Sequence, residues 1–282
     1  MKPVDEEYFG HAHTTVIEPP KGWRLPDFRE LWAYRELAAA LGARDIRVRY
    51  KQTVMGAAWA ILQPLATMIL FTLIFGRFAR IPSEGYPYAV FVYAGLLPWT
   101  LFSSTITAAA NSLVGSSGLI TKIWFPRLLI PAASVASPLV DFAVSSLILL
   151  VLMLGYGVDW SVRILLVPLL VVLLVLLAVS IGIFLSAFIV RYRDVRFVIP
   201  FLVQFWMFAS PVIYPPSIIP EAYRWILWLN PMTGVIEAFR WAFLGKPFDA
   251  GSLAVSVVAA VVALIVSISW FERVEEGFAD VI

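Results

Sequence analysis

The chain has 282 residues, of which 61% are hydrophobic and only 14% charged, with a mean hydropathy of +0.85. Soluble domains have about 45–50% apolar and about 25% charged residues, so this composition excludes a soluble domain and predicts an integral membrane protein. The formal net charge of +2 is too small to suggest a nucleic-acid partner. Because the chain has no cysteine and only two histidines, His11 and His13, we expect no metal site.

The N-terminal part divides into a polar extension, residues 1–26, and a helical pattern over residues 27–43. Asp27 can cap this helix, with Glu30 three residues later. Apolar residues recur on one side of it and charged residues on another, which predicts an amphipathic helix lying at the membrane interface. A basic run follows, formed by Arg44, Arg47, Arg49 and Lys51.

Six later segments carry the roughly 20 apolar residues that a membrane-spanning helix needs. They lie near residues 57–76, 88–110, 127–154, 163–190, 197–214 and 251–271. Of the 21 Lys and Arg residues, 15 fall on one predicted side of the membrane and 6 on the other. By the positive-inside rule, this asymmetry predicts that both termini are cytoplasmic.

Residues 215–250 break the pattern, because prolines interrupt short apolar stretches that cannot span a bilayer. We predict a re-entrant pair of short helices here, just before the last span. Irregular backbone at membrane depth is tolerated where it is buried in protein or borders a wet cavity. The predicted fold class is therefore an all-α integral membrane protein with an interface helix, six spans and this re-entrant pair, in one transmembrane domain over residues 27–282.

Four runs of sequence together resemble one known family. They are RVRYKQTVMGAAWAILQPL from Arg47, YAVFVYAGLLPWTLFS from Tyr88, NSLVGSSGLITKIWFPRLLIPAASVASPLVD from Asn111, and Arg191–Gly245 with its LNPMTGVIEAFRWAFLG stretch. In order and spacing they are similar to the membrane-spanning subunits of bacterial ABC exporters for cell-surface polysaccharides such as O-antigen, capsule and teichoic acid. The resemblance covers roughly residues 44–246, and the acidic extension before it is a departure.

The resemblance implies a homodimer of this permease working with two copies of a separate nucleotide-binding ATPase in the bacterial inner membrane. The sequence agrees that ATP is handled elsewhere. Gly245 and Lys246 are adjacent, but Arg240 stands where a phosphate-binding loop needs its first glycine, and no Ser or Thr follows the lysine. We expect no cofactor in this chain, with ATP and Mg bound by the partner ATPase.

Cytoplasmic surfaces of the permease must then receive the motion of the ATPase. The resemblance implies that the loop over residues 112–127 is a coupling element. The arginine-rich turn after the fourth span is a second candidate, although the positive-inside rule favours a role of its charges in holding orientation, and both roles can coexist. The candidate coupling residues are Lys122, Trp124, Arg127, Arg191, Arg193 and Asp194.

The basic run before the first span suggests a portal for the substrate. Arg and Lys offer charge-assisted hydrogen bonds to phosphate oxygens, and an undecaprenyl-linked glycan carries a pyrophosphate. Arg47, Arg49 and Lys51 are the candidates. An ordinary membrane entry, with a basic cluster and a tryptophan anchor, is the alternative interpretation.

Aromatic residues make up 15% of the chain, including 11 Trp. Sugar rings have apolar C–H faces, so aromatic side chains lining a passage would give a weakly specific sliding surface. We predict a passage at the dimer interface, and the candidates come from the runs that carry the resemblance or lie beside them. They are Trp59, Phe71, Trp99, Phe102, Phe205, Trp206 and Tyr214.

Three ionisable residues in apolar segments need an explanation. Asp141 lies well inside a predicted span, where it serves either transport or packing between helices. Glu237 and Arg240 are three residues apart on a predicted re-entrant helix, where they can pair and fix the pose of an outer gate.

Other functions remain open at this stage. A drug or lipid exporter with the same architecture is the main alternative. A proton-coupled carrier would need a chain of buried ionisable groups, and Asp141 stands almost alone. A membrane enzyme would need paired carboxylates, whereas Asp194 and Glu237 fall on opposite predicted sides.

Overall fold

The structure, a computed structural model, describes residues 28–51, 56–275 and 278. In this part of the chain the regular structure is helical throughout, with no strand. The α-helices are α1 (Phe28–Ala33), α2 (Arg35–Lys51), α3 (Gly56–Phe71), α4 (Tyr88–Gly115), α5 (Ser117–Ile120), α6 (Leu129–Ala133), α7 (Ala136–Gly155), α8 (Val167–Arg191), α9 (Val195–Ala209), α10 (Arg224–Trp228), α11 (Pro231–Leu244) and α12 (Ala250–Glu275).

Five helical stretches among these residues are long and apolar enough to cross a membrane. They are Ala58–Phe78, which joins α3 to a π-helical turn, Tyr88–Gly115, Leu129–Gly155, Val162–Arg191, which joins a 3₁₀ turn to α8, and Ala250–Glu275. Each coincides with a span expected from the sequence. The prediction of an all-α integral membrane protein is confirmed.

The sixth expected span, near residues 197–214, is a shorter helix. α9 has 15 residues and ends at Ala209, which gives it a length of about 22 Å at 1.5 Å per residue. Pro211 and Pro215 follow closely and cannot donate the backbone hydrogen bonds that a continuing helix needs. The apolar run predicts a span to residue 214, but the residues after Ala209 form turns.

Helix α4 is the centre of the bundle. In the most apolar 18-residue stretch of α4, 83% of the residues are buried, whereas in the corresponding stretch of Ala58–Phe78 only 11% are buried. Small residues bring α8 close to it, because a Cβ on Gly182 would lie 2.4 Å from the Cβ of Ala109. Close approach through small residues is how membrane helices gain packing energy where hydrophobic association is weak.

The N-terminal helices pack on protein through their apolar side. The apolar residues of the interface helix, among them Leu31, Tyr34 and Leu41, join a buried cluster with Leu129 and Phe271. The basic run does not follow the helix, as expected from the sequence, but belongs to it, since α2 continues to Lys51. Asp27 and residues 1–26 lie outside the described residues.

The two ends of the bundle differ in character. We call one the basic end: it carries α2, the segment 116–128 and the turn 192–194. We call the other the re-entrant end: it carries the loops 79–87, 156–161 and 245–249. Arg44 of α2 donates to Ser116 at 3.3 Å, which places the first two of these elements side by side.

After α9 the chain turns back into the bundle at the re-entrant end. Ser217 donates to Glu84 of the loop 79–87 at 2.6 Å, so the segment has reached that end. The chain then runs inward, because Ser256, six residues or about 9 Å along α12, donates to the carbonyl of Pro231 at 2.6 Å. α11 returns to the end at Gly245, whose positive φ of 72° terminates the helix.

Candidate functional site

At the basic end, Asp141 of α7 is bound by two side chains of α2. Arg49 pairs with its Oδ2 at 2.5 Å, and the phenol of Tyr50 donates to its Oδ1. Burial, together with this hydrogen bond and the negative charge, raises the pKa of Tyr50 to about 12, so the phenol keeps its proton. Asp141 therefore joins α7 to α2, and these contacts favour the packing interpretation over a transport role.

This contact changes the set of cations available at the predicted phosphate portal. Arg49 is engaged with Asp141, while Arg47 and Lys51 stay exposed on α2. α2 is also held closely against its neighbour, because a Cβ on Gly42 would lie 2.9 Å from the Cβ of Ala136. The portal prediction remains for Arg47 and Lys51, with Arg49 as the residue that positions their helix.

The segment 116–128 presents an exposed surface beside α1 and α2. Lys122 and Trp124 are exposed, and the Trp124 ring meets the edge of Tyr34 with ring centroids 6.5 Å apart. Phe125 is buried and anchors the segment to the bundle. The segment is thus anchored to the bundle by Phe125 and leaves Lys122 and Trp124 accessible, as a docking site for another protein requires.

Arg127 has a different environment from Lys122 and Trp124. Its guanidinium donates to the carbonyl of Glu275, the last residue of α12, and its Nε lies 3.9 Å from the Glu275 carboxylate. Its side chain is largely covered. Arg127 therefore joins the segment 116–128 to the C-terminal end of α12.

The turn between α8 and α9 is exposed throughout. Arg191, Arg193, Asp194 and Arg196 all face outward. The guanidinium of Arg191 lies 5.7 Å from the ring centroid of Tyr192. This turn stands at the same end as the segment 116–128, so the predicted coupling residues share one end of the bundle.

At the re-entrant end, Arg240 is enclosed in the protein. Its Nη1 donates to the carbonyl of Pro211 at 2.7 Å and lies 3.3 Å from the Glu237 carboxylate, and its Nη2 donates to the carbonyl of Val212 at 2.8 Å. The guanidinium carbon lies 3.8 Å from the centroid of the Phe91 ring, a cation–π contact. The predicted Glu237–Arg240 pair is present and also clamps the turn after α9.

A second cation meets the same aromatic ring. Lys246 lies 5.0 Å from the Phe91 centroid and pairs with Glu84, which also accepts the hydrogen bond from Ser217. Burial lowers the pKa of the Lys246 ammonium to about 8, so it is mainly charged at neutral pH. Three loops of the re-entrant end therefore meet at one charge cluster.

Asn230 fixes the start of α11. Its side-chain oxygen accepts from the backbone N–H of Met232 at 3.0 Å and from the indole of Trp206 at 2.9 Å, and its amide donates to Ser210 at 2.8 Å. An N-cap residue normally satisfies one helix terminus. This one also joins α9 to the re-entrant helix.

The predicted pathway aromatics fall into three groups. Trp59 of α3 and Phe205 of α9 are exposed on the subunit surface. Trp99, Phe102 and Trp206 pack together, with ring centroids 5.5 Å apart in the first pair and 5.0 Å in the second. The remaining candidates are Phe71, which is buried, and Tyr214, which is partly buried. In this arrangement only the first group faces the surroundings of a single subunit, and the pathway role of all seven stays a prediction.

Sequence reasoning missed four partners that complete these sites. Tyr50 and Glu84 could have been flagged as polar residues near span ends, but nothing local names their partners. Phe91 and Lys246 are separated by more than 150 residues and meet only through the fold. Among the residues that the structure describes, no group of three His, Cys, Asp or Glu is placed to hold a metal ion.

Comparison with known proteins gives a consistent result. The ABC-2 type transporter family matches residues 36–244. The O-antigen export system permease protein RfbA of Myxococcus xanthus is 32% identical over 255 residues, which cover 89% of this chain and 97% of that protein. RfbA of Klebsiella pneumoniae is 25% identical over 248 residues, 88% of this chain and 95% of that protein.

The polysialic acid transport protein KpsM of Escherichia coli is 27% identical over 241 residues, 84% of this chain and 93% of that protein. The family match runs from α2 through α11 and so includes the basic end and the re-entrant helix. A permease of this family is part of an ABC transport system with a partner ATPase. By its matched length and its apolar helices, this multi-pass membrane chain belongs to the ABC-2 type transporter family.

Proposed function

We propose that this chain is the permease subunit of an ATP-driven exporter that moves a lipid-linked polysaccharide out of the cytoplasm. The observation that carries the proposal is the similarity, over more than four fifths of the chain, to permeases named for O-antigen export and polysialic acid transport. The proposed site is the inner membrane, with both termini cytoplasmic. The concentration of basic residues at one end of the bundle supports this orientation.

The proposed assembly is a homodimer with two copies of the ATPase. ATP and Mg are bound by the ATPase, whose motion enters through the segment 116–128 and the turn 192–194. Exposed Lys122 and Trp124, resting on buried Phe125, support docking at the basic end. Arg127 extends the path, because a push on the segment reaches α12 through Glu275.

The proposed passage lies between the two subunits. The exposed apolar faces of α3 and α9, which carry Trp59 and Phe205, support this location. A passage through the middle of one subunit is less suitable, because α4 fills the centre of the bundle. The lipid pyrophosphate would approach at Arg47 and Lys51, which are exposed at the basic end.

The re-entrant helix α11 is proposed to form the outer gate. Arg240 fixes its pose against the turn after α9, through the carbonyls of Pro211 and Val212. Because the guanidinium is fully enclosed, we expect the gate to move as one unit with the α9 turn, with no break at the Glu237–Arg240 pair.

The test is ATP hydrolysis by the reconstituted complex. This chain is co-expressed with the ABC ATPase of its source, purified as a complex and placed in lipid vesicles. Vanadate-sensitive hydrolysis is measured with lipid-linked glycan, with the lipid carrier alone and with a panel of drugs. Stimulation by the glycan supports the proposal. Stimulation only by drugs or by simple lipids would support the drug or lipid exporter instead, and no complex with any ATPase would contradict both.

A further inference from the structure

A crevice of about 390 Å³ opens into the bundle between α8, α9 and α12. Its floor consists of buried residues from four helices: Ile106, Ser180, Ile199 and Ser267. Its rim carries Leu202 of α9 and Val266 of α12, both exposed. The crevice is therefore closed toward α4 and open sideways, toward whatever surrounds these helices.

The chemistry of the lining suits hydrocarbon. Most of the lining residues are aliphatic or aromatic, and the hydroxyl of Ser180 is already used, donating to the carbonyl of Leu176 at 2.6 Å. The hydroxyl of Ser267 likewise donates to the carbonyl of Leu264 at 3.0 Å. The protons of both lining hydroxyls are therefore already engaged by the helix backbone. The neighbouring helices α8 and α12 have bilayer length, so the opening faces acyl chains.

Two arginines, one on α8 and one on α9, lie on the lining faces of their helices, beyond the crevice toward the basic end. Arg196 precedes Ile199 by three and Val203 by seven residues on α9, so it shares the face that lines the crevice. Arg191 follows the lining residue Phe184 by seven residues on α8. Both side chains are exposed, so an anionic group at the membrane surface can reach them.

We propose that this crevice binds an anionic phospholipid, with one acyl chain between α9 and α12 and its phosphate at Arg191 and Arg196. The ligand is a bilayer lipid and not the exported cargo, so the proposal goes beyond the proposed function. The lining on α9 runs from Ile199 to Trp206, about 10 Å. That depth covers a substantial part of one acyl chain but only a small part of a polyprenyl chain.

The first experiment is native mass spectrometry of the full chain purified in detergent, with added phosphatidylglycerol or phosphatidylcholine. We expect retention of phosphatidylglycerol over phosphatidylcholine. The double variant Arg191→Gln/Arg196→Gln should weaken this binding roughly 10- to 30-fold, since each basic side chain contributes at an anionic surface. Arg80→Gln/Arg224→Gln, which removes two charges at the opposite end of the bundle, is the matched charge control and should leave the binding unchanged.

A second variant tests the chain-binding part independently of charge. Ala263→Phe fills the crevice from α12 and should expel the lipid. Ala254→Phe adds the same side chain nine residues earlier, on the opposite face of the same helix, and should not. Equal retention of both lipids, or unchanged retention in Ala263→Phe, would overturn the proposal. Displacement of phosphatidylglycerol by undecaprenyl phosphate at equal concentration would overturn it too, by making the crevice a cargo site.

Discussion

The two ends of the bundle hold their non-spanning helices in different ways. At the re-entrant end, Arg240 fixes α11 with a side chain that is 1% exposed. At the basic end, Arg49 fixes α2 through Asp141 with a side chain that is 49% exposed. A buried pair that loses one partner leaves a charge without solvent, whereas a half-exposed arginine can be hydrated. The contact between Arg49 and Asp141 at the basic end can therefore break during a transport cycle at a small cost in free energy. Breaking the contacts of Arg240 at the re-entrant end costs much more.

The first test of this difference between the two ends removes the buried guanidinium of Arg240. Arg240→Met leaves Glu237 and two carbonyls without donors, so we expect a loss of about 3–5 kcal/mol in the free energy of unfolding. The measurement is thermal unfolding in detergent. Arg224→Met is the control, because Arg224 pairs with Glu221 at the same spacing and the same 3.3 Å distance but is 43% exposed. A similar loss in both variants would mean that burial does not set the difference.

The second test enlarges the wall behind the same guanidinium. A Cβ on Gly95 would lie 2.8 Å from both the Nη2 of Arg240 and the carbonyl oxygen of Val212. Gly95→Ala should therefore cost about 1–3 kcal/mol through overpacking. Gly115→Ala, in the same helix α4, meets no atom within 4 Å and should be neutral or slightly stabilising. The measurement is the melting temperature of each variant. Equal melting temperatures would contradict the close packing of Gly95 against Arg240 and Val212.

The third test loosens the basic end. Asp141→Asn keeps an acceptor for Tyr50 but removes the charge that holds Arg49, so we expect a smaller loss of about 1–2 kcal/mol. Asp45→Asn is the control, since Asp45 pairs with Arg44 at 2.9 Å on the surface of the same helix. Export should survive in Asp141→Asn at a reduced rate. Complete loss of export in a stable, assembled complex would instead favour a proton-coupled role for Asp141.

The fourth test separates coupling from stability. Trp124→Ala should change the melting temperature little, because the side chain is 52% exposed, but should abolish stimulation of the ATPase by the permease. Trp160→Ala removes the same residue with 53% exposure at the opposite end and should leave stimulation intact. Activity is read as hydrolysis per assembled complex. Normal stimulation in the Trp124 variant would remove the segment 116–128 from the coupling path.

The spans could be predicted from sequence because a bilayer-length apolar run needs no knowledge of its partners. The first residues of two spans, Tyr88 and Ala250, therefore lie within one residue of the predicted starts at 88 and 251. The end of α9 was missed because the same hydropathy continues past Ala209 into residues that form turns. The amphipathic pattern ends near Ala43, but α2 continues through the basic run to Lys51, because Arg and Lys are good helix formers.

The site could be predicted only in part. The i,i+3 spacing of Glu237 and Arg240 predicts their ion pair. The position of Asp141 inside a span predicts that its carboxylate has a partner. The identity of that partner, and the carbonyls that hold Arg240, depend on contacts between distant segments. Burial of Arg240 against Phe91 has no local signal, because it follows from how α11 folds back onto α4.

Translocation itself is the most direct measurement of the central claim. Inside-out vesicles carrying this chain and its ATPase are supplied with lipid-linked glycan outside, and the glycan is then tested for protection from an added glycosidase. We predict that protection requires ATP, is blocked by vanadate, and is lost in Trp124→Ala but kept in Trp160→Ala. Glycan that stays fully accessible with ATP, in vesicles whose ATPase is active and stimulated by the permease, would contradict the account.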